Sequence, residues 1–477
     1  MADSENVEIV TDGNISEPLL QTEKESEAEC RNGDDDKELF MVYLSTFVAV
    51  WGAFEFGSCV GYSAPTQFGI MNDLNMSYSE FAVFGSILNI GAMIGAITCG
   101  WIADYLGRKG AMRLSSVICT VGWIIIFVSW GSFFLDFGRF LTGYGIGILS
   151  YVVPVFIAEI TPKTLRGALA AANQLFIVIG LAVAFLIGAF VSWRMLALTG
   201  VIPCAFLFVG LFFIPESPRW LAMVGRQNEF RVALQTLRGP HADISREADE
   251  IQEYLTSLSH MPRATVLDLF NRRNIRFVIV GVGLMVFQQC VGINGVIFYA
   301  GQIFVSAGAP PNLGSILYSV LQVIVTGLAA TMLIDRAGRR PLLIISVSGM
   351  LLGSLLIGSS FILKANNLAL PLIPLLAIGG VLVYIGSFSA GMGAIPWVIM
   401  SEIFPLNLKG LAGGIVTLVN WSGSWLISYT FNFLMVWSSH GTFFIYALVC
   451  ALALVFIIKL VPETKGRTLE EIQALVK

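Results

Sequence analysis

Among the amide side chains within long apolar runs of the sequence, six are the first candidates for chemistry. They are Gln174, Gln288, Gln289, Asn294, Gln322 and Asn420. An amide offers hydrogen-bond donors and acceptors without carrying a charge, and a hydroxyl that enters apolar surroundings without a partner is costly. The pattern suits the passage of an uncharged, hydroxyl-rich solute. Ordinary hydrogen bonding between helices is the alternative interpretation.

Three of these amides lie within one short stretch, which strengthens the interpretation as a binding site. Gln288 and Gln289 are followed by Asn294, which lies between Gly292 and Gly295. Glycines at this spacing predict a break in a membrane helix, and such breaks are typical of solute-binding segments in transporters. We therefore expect this stretch to bind or gate a solute.

An aromatic residue, Trp397, is a further candidate contact for a solute. It follows Pro396 within an apolar run, and Phe388 lies nine residues earlier. An indole face can stack on the apolar face of a sugar ring. The alternative is an anchor at the membrane surface, but Trp397 lies too deep in its run for that role.

Ionisable residues inside the apolar runs form a second group of candidates. Glu55, Asp136 and Arg139 lie well within such runs, where charges are expensive and usually functional. Asp136 is three residues before Arg139, so the two could pair on one helix. Alternatively, Asp136 lies at the edge of the membrane, where its cost is small.

The elements that must position these residues are membrane helices. The chain has 477 residues, of which 56% are hydrophobic and 13% charged, whereas soluble domains are about a quarter charged. About 20 apolar residues are needed to cross the roughly 30 Å hydrocarbon core. Twelve runs meet this need: 39–62, 81–102, 114–132, 133–157, 168–191, 195–214, 277–300, 313–334, 342–363, 370–400, 411–435 and 443–460.

Three loop motifs occur twice in the same order, which indicates an internal repeat. The pairs are 104–109 with 335–340, 159–167 with 402–410, and 215–217 with 462–464. Two parallel repeats of six helices are a transporter architecture, with the solute site between them near the midplane. The predicted parts are an acidic tail (1–38), a six-helix bundle (39–214), a polar linker with short amphipathic helices (215–276), a second bundle (277–461) and a C-terminal tail (462–477).

Matching charges in these loops suggest a gate between the two repeats. Those of the first repeat are Asp104, Arg108, Glu159 and Arg166, and those of the second are Asp335, Arg339, Glu402 and Lys409. Ion pairs between helix ends would hold the halves together when the site faces outward and would separate when it faces the cytosol. Basic loops that set topology are the alternative, but they do not account for the matching acids.

Positive residues and the N-terminal tail predict orientation and location. If both termini are cytosolic, nearly all of the 28 Lys and Arg residues lie on the cytosolic side, which the positive-inside rule favours. No signal peptide is recognisable. Glu17, Leu19 and Leu20 form an acidic dileucine pattern, so we expect sorting adaptors to bind the tail and to direct the protein to the vacuolar membrane rather than the plasma membrane.

The sequence resembles the sugar porter family of the major facilitator superfamily over residues 39–472. The motifs that carry the resemblance are Gly138-Arg139-Phe140, Pro215-Glu216-Ser217-Pro218-Arg219-Trp220, Gln288-Gln289 with Gly292-Ile293-Asn294, and Pro462-Glu463-Thr464-Lys465-Gly466-Arg467. Residues 61–65 and 335–341 look most like the plant "early responsive to dehydration six"-like monosaccharide transporters. The resemblance implies an all-α fold of twelve transmembrane helices. It also implies sugar binding by Gln174, Gln288, Gln289 and Asn294.

Energy coupling is left open by the sequence. Alignment with symporters of the resembled family places Cys59 where they carry an aspartate, which favours an uncoupled facilitator. Glu55 lies four residues earlier, on the same helical face, and could serve as the proton site with Arg139 as its partner.

Other functional classes have less support. A sugar sensor without net transport is the alternative of another class. No nucleophile–base pair, metal cluster, cofactor motif or nucleic-acid-binding patch is recognisable, so neither an enzyme nor a cofactor is predicted.

Overall fold

The computed structural model describes residues 39–162, 165–260, 266–269, 271, 274–308, 311–328, 338–404 and 408–464. Helices make up nearly all of this part of the chain, and no strand occurs within it. The predicted sorting residues Glu17, Leu19 and Leu20 and the predicted gate residue Asp335 lie outside the described residues.

The first half of the fold contains six helices. They are Phe40–Gly61 (α1), Ser63–Leu74 (α2), Tyr78–Val128 (α3), Ser132–Ile160 (α4), Arg166–Gly188 (α5) and Trp193–Gly210 (α6). Helix α3 contains two predicted spans, which are separated at Gly107 by a non-helical turn with φ of +81°. A side chain at this position would also approach the Glu216 carboxylate, which lies 2.7 Å from an ideal Cβ. Both the positive φ and this close approach therefore favour glycine.

Short helices connect the halves, as the amphipathic pattern predicts. They are Pro218–Met223 (α7), Gln227–Arg238 (α8), Ser245–His260 (α9) and Val266–Leu269 (α10). The apolar face of α8 is buried through Phe230, Leu234 and Leu237. This packing fixes part of the linker against the first half and against its own short helices.

The second half repeats the pattern with more interruptions. Its helices are Ile275–Cys290 (α11), Ile293–Phe298 (α12), Ala300–Ser306 (α13), Pro311–Leu328 (α14), Arg339–Ala365 (α15), Ile373–Ser387 (α16), Ile395–Ile403 (α17), Lys409–Trp437 (α18) and Ser439–Leu460 (α19). A 3-10 turn at Leu370–Leu372 precedes α16, and a π turn at Phe388–Met392 follows it. Each of the twelve predicted spans thus coincides with one or more helices, and the prediction of an all-α, twelve-helix membrane fold is confirmed.

Length and composition agree with this count. Nine described helical segments are long and apolar enough to cross a membrane, and Tyr78–Val128 alone contains two spans. Ile316–Leu328 is a shorter apolar segment, and the 29-residue helix Lys409–Trp437 covers the remaining predicted run, 411–435. The chain is therefore a multi-pass membrane protein.

Contacts between the two halves lie mainly between α3 and α18 and between α5 and α14. The end of the bundle that carries the repeated charged loops is called the motif face, and the opposite end the distal face. Toward the distal face the halves are joined by Phe81 and Tyr299 rings, by Phe185 and Tyr318 rings, and by a 3.1 Å hydrogen bond from Gln67 to Gln302. The distal face is thus closed in this conformation.

Candidate functional site

A connected cluster of amides occupies the broken seventh span. The break that the glycines predict lies at Gly292, which has a left-handed backbone with φ of +98°. This turn returns Asn294 toward the preceding helix, where its Nδ2 donates to Gln289 Oε1. Gln289 Nε2 in turn donates to Asn420 Oδ1 at 2.6 Å. Three predicted binding residues from α11, α12 and α18 therefore form one hydrogen-bonded group.

The fourth amide, Gln288, joins the two interrupted spans of the second half. Its Nε2 lies 2.7 Å from the Met392 carbonyl oxygen and 3.1 Å from that of Gly393. These carbonyls end the π turn, where the regular backbone hydrogen bonds of a helix are disturbed. Trp397 lies in the first turn of α17 and packs, half-buried, against the hydrophobic core. Gln288 thus holds the segment that carries Trp397 in place.

Gln174 lies in the first half and does not join this cluster. It is half-buried on α5 and has no hydrogen-bond partner among the described residues. Phe185, eleven residues later and therefore on nearly the same helix face, packs against Tyr318 of α14 at 5.1 Å between ring centroids. Gln174 thus lies near the side of α5 that packs on the second half, and its role in solute binding stays a prediction.

Glu55 is fully enclosed in the first half. Its side chain is 1% exposed, and its Oε1 accepts from Trp123 Nε1 at 2.6 Å and from Cys59 Sγ at 3.2 Å. Its Oε2 has no hydrogen-bond partner among the described residues. The thiol of Cys59, the position where the resemblance predicts an aspartate in symporters, thus contacts the candidate carboxylate directly.

Arg139 is buried nearby but is not paired with Glu55 in this conformation. One guanidinium nitrogen donates to Ser63 Oγ at 2.5 Å, and the group lies 5.5 Å from the Tyr62 ring and 5.2 Å from the Phe84 ring. No ion pair of Arg139 occurs among the described residues. The sequence suggested an ion pair with Glu55 or Asp136, and the aromatic rings instead provide the cation with partial compensation.

The predicted gate charges pair within each half. Arg108 makes a two-point contact with Glu159, with both N···O distances 2.9 Å, and lies 3.2 Å from Asp104. In the second half Arg339 lies 3.3 Å from Glu402. The structure describes only the backbone of Arg166 and Lys409. Pairing between the halves therefore stays a prediction for another conformation.

The third repeated motif has a capping role that the sequence did not reveal. The Glu216 carboxylate accepts from the backbone N–H of Ser217 at 2.8 Å and of Lys109 at 3.1 Å. Glu463 likewise accepts from the backbone N–H groups of Arg339 and Arg340, both at 3.0 Å. Each glutamate thus caps the helix that follows a left-handed glycine. Burial raises the pKa of Glu216, and the hydrogen bonds from Ser217 and Lys109 oppose this rise.

Replacing Glu216 by alanine is expected to lower stability, because it leaves buried backbone N–H groups without an acceptor. Such a loss costs about 1–3 kcal/mol and should reduce the midpoint of thermal unfolding of the detergent-purified protein. Glu253→Ala, which removes an exposed linker carboxylate, is the matched control. An unchanged midpoint for Glu216→Ala would contradict the capping role.

Asn89 and its partners were also missed by sequence reasoning. Asn89 lies in the apolar run 81–102 and crosses between the halves to Ser424 and Ser428 of α18. An amide within an apolar run was the signal that selected the six candidates above, and the same signal could have selected Asn89. Small hydroxyl side chains such as Ser424 give no comparable signal, because they are common in membrane helices.

Comparison with known proteins agrees with this arrangement. Residues 38–476 match the family model described as "Sugar (and other) transporter". The chain belongs to this sugar transporter family. "Sugar transporter ERD6-like 8" of Arabidopsis thaliana is 70% identical over 97% of each chain. "Sugar transporter ERD6-like 7" of the same plant is 61% identical over 93% of this chain and 96% of that protein. The resemblance to this plant group is confirmed.

Solved structures place this sugar transporter family member in the same fold as a bacterial carrier. The inward-open xylose transporter XylE of E. coli superposes with a TM-score of 0.77 at 28% identity, over 91% of this chain and 99% of that chain. A second XylE structure superposes with a TM-score of 0.74 at 27% identity, over 92% of this chain and 99% of that chain. It is described as a major facilitator superfamily proton:xylose symporter bound to 6-bromo-6-deoxy-D-glucose. The chain thus has the major facilitator fold.

Proposed function

We propose that this sugar transporter carries a monosaccharide, most simply a hexose, by alternating access between its two halves. The observation that carries the proposal is the hydrogen-bonded group of Gln289, Asn294 and Asn420 at the break in the seventh span. Gln288 precedes Gln289 on the same helix and holds the segment of Trp397, and we propose that Trp397 and Gln174 complete the site. Amides so arranged can exchange their mutual hydrogen bonds for bonds to sugar hydroxyls. The xylose and bromodeoxyglucose ligands named for XylE support a monosaccharide of this size.

The closed distal face supports alternating access. A site near the midplane that is sealed on one side must open there in another conformation to release its solute. Opening requires α3 to separate from α18, and the charged loops at the motif face would then approach each other. Asp104, Arg166, Asp335 and Lys409 are the gate residues we propose to pair across the halves in that state.

We propose that transport is coupled to protons through Glu55. Net movement of sugar would then run from the vacuole to the cytosol. Glu55 has one carboxylate oxygen without a described partner, so any change in its charge must be compensated by its surroundings. The equilibrium between conformations that surround Glu55 differently would then depend on whether Glu55 is protonated. The symporter named among the solved structures supports coupling. An uncoupled facilitator is the second candidate, favoured by Cys59 at the usual aspartate position.

Uptake of radiolabelled D-glucose, D-fructose and a polyol into proteoliposomes tests the carrier proposal. We expect saturable uptake of at least one of these solutes, inhibited by the others in proportion to their affinity. A sugar sensor, the candidate of another class, would bind the same solutes without net flux. Binding in detergent without uptake in liposomes would therefore favour the sensor over the carrier.

We further propose that the protein resides in the vacuolar membrane with both termini in the cytosol. Changing Leu19 and Leu20 to alanine is expected to redirect a fluorescent fusion from the vacuolar to the plasma membrane, because sorting adaptors would no longer bind the tail. Replacing the tail residues Val7 and Ile9 by alanine is the control. A wild-type fusion that already marks the plasma membrane would contradict the vacuolar assignment.

A further inference from the structure

Helix α18 carries a stripe of buried polar residues that extends from the amide cluster toward the distal face. Its members are Asn420, Ser424, Ser428 and Asn432, which are 9%, 3%, 0% and 2% exposed. Residues four apart on a helix are neighbours along one face, so the stripe is continuous and winds slowly around α18. Its first member belongs to the proposed sugar site, and its last lies near the distal end of the helix.

The middle of this stripe is covered by one residue of the other half. Ser424 Oγ donates to Asn89 Oδ1 at 2.9 Å, and Asn89 Nδ2 donates to Ser428 Oγ at 3.1 Å. Asn89 is 1% exposed, so both bonds are shielded from water. The amide thus bridges two successive turns of α18 and joins the halves where the distal face is closed.

The outer end of the stripe has no partner in this conformation. Neither Oδ1 nor Nδ2 of Asn432 has a hydrogen-bond partner among the described residues, although the side chain is 98% buried. A buried amide without partners costs free energy, and such groups in folded proteins call for an explanation. Asn432 is one turn beyond Ser428, on the side away from the amide cluster.

We propose that Ser424, Ser428 and Asn432 form a second solute-binding station, which binds sugar hydroxyls when the distal face is open. In the closed state Asn89 takes up the hydrogen bonds on Ser424 and Ser428 that solute hydroxyls take up in the open state. Asn89 is therefore a latch that competes with the solute. This inference rests on the proposed sugar transport and deepens it, because it names the residues that bind the solute on the distal side.

The chemistry of the station fits a neutral, hydroxyl-bearing solute. Two hydroxyls and one amide can each donate and accept, whereas an ion would find no opposite charge among these three residues. An apolar solute would leave all three without partners. A hydroxyl and an amide offer similar donors and acceptors, so Asn89 can replace a sugar on Ser424 and Ser428 without changes in the rest of α18.

Sealed membrane vesicles of both orientations, which present either the distal or the motif face to the medium, test the proposal with labelled sugar. Asn432→Leu is expected to raise the half-saturation concentration measured from the distal face about tenfold, by the loss of one or two hydrogen bonds to the solute. The value from the motif face should change less than about twofold. Asn89→Ala should have the opposite sign and lower the distal half-saturation, because it favours the distal-open state.

Control variants separate this proposal from a structural defect and from failure of the proposed function. Thr430→Ala removes a hydroxyl from α18 that bonds only its own helix, to Leu426 O at 2.7 Å, and should leave both faces unchanged. Asn432→Ser retains a hydroxyl and should restore part of the distal affinity. Equal changes at both faces, or none, in Asn432→Leu would overturn the station. Absence of transport in the wild type would overturn the proposed function instead.

Discussion

Glu55→Gln is expected to abolish uphill accumulation of sugar driven by an imposed pH gradient, while exchange of sugar across the membrane continues. Glutamine keeps the shape of the side chain and an oxygen that can accept from Trp123 Nε1, 2.6 Å away in the wild type. It cannot change charge during the transport cycle. The substitution should therefore remove coupling without removing the pathway.

Accumulation and counterflow in the same proteoliposomes measure the two properties separately. Asp136→Asn is the matched control, because it removes another carboxylate of the first half that shares no hydrogen bond with Glu55 or its partners among the described residues, and it should accumulate sugar as the wild type does. Accumulation that persists in Glu55→Gln would exclude this residue as the coupling site. Absence of accumulation in the wild type under any gradient would leave the facilitator as the supported mechanism.

Asn294→Ala is expected to raise the half-saturation concentration for sugar at least tenfold. The change removes an amide that contacts the solute in the proposed mechanism and leaves Gln289 Oε1 without its described donor. The loss of one or two buried hydrogen bonds corresponds to about 1–3 kcal/mol, and about 1.4 kcal/mol is a factor of ten in affinity. Initial uptake rates over a range of sugar concentrations give the measurement.

Substitution of an exposed asparagine, Asn366, is the control for Asn294→Ala. Asn366 is exposed, and its amide only bonds Ile362 O at 2.9 Å at the end of α15, so Asn366→Ala should transport normally. Gln288→Ala should differ from Asn294→Ala by also lowering thermal stability, because it frees the Met392 and Gly393 carbonyls. Unchanged uptake kinetics in Asn294→Ala at normal abundance would assign Asn294 to helix packing alone.

The membrane fold was predictable because its signals are local. An apolar run long enough to cross the bilayer predicts a helix wherever it occurs, and the glycines beside Asn294 predicted the break found at Gly292. The repeated loop motifs indicated two halves of the same design. Two predicted spans fall within the single helical segment Tyr78–Val128, because the non-helical turn at Gly107 interrupts the helical hydrogen bonds only briefly.

Partners across the fold were not predictable, because they depend on which turns of distant helices face each other. The sequence placed Gln289 and Asn294 together, but the contact with Asn420 spans 131 residues. The sequence offered Asp136 and Glu55 as possible partners of Arg139, whereas Arg139 contacts Ser63 and two aromatic rings. Glu216 was recognised as part of a motif, but its bonds to the turn after Gly107 require the position of a loop about one hundred residues away.

Counterflow in proteoliposomes preloaded with unlabelled sugar tests the central claim, alternating access by a monosaccharide carrier, most directly. Unlabelled D-glucose or D-fructose inside the vesicles should cause a transient accumulation of the same labelled sugar from outside, since one site alternates between the two sides. Liposomes that contain the Asn294→Ala variant should show the same transient only at higher sugar concentrations. Saturable sugar binding by the purified wild type without a counterflow transient for any monosaccharide would contradict the account.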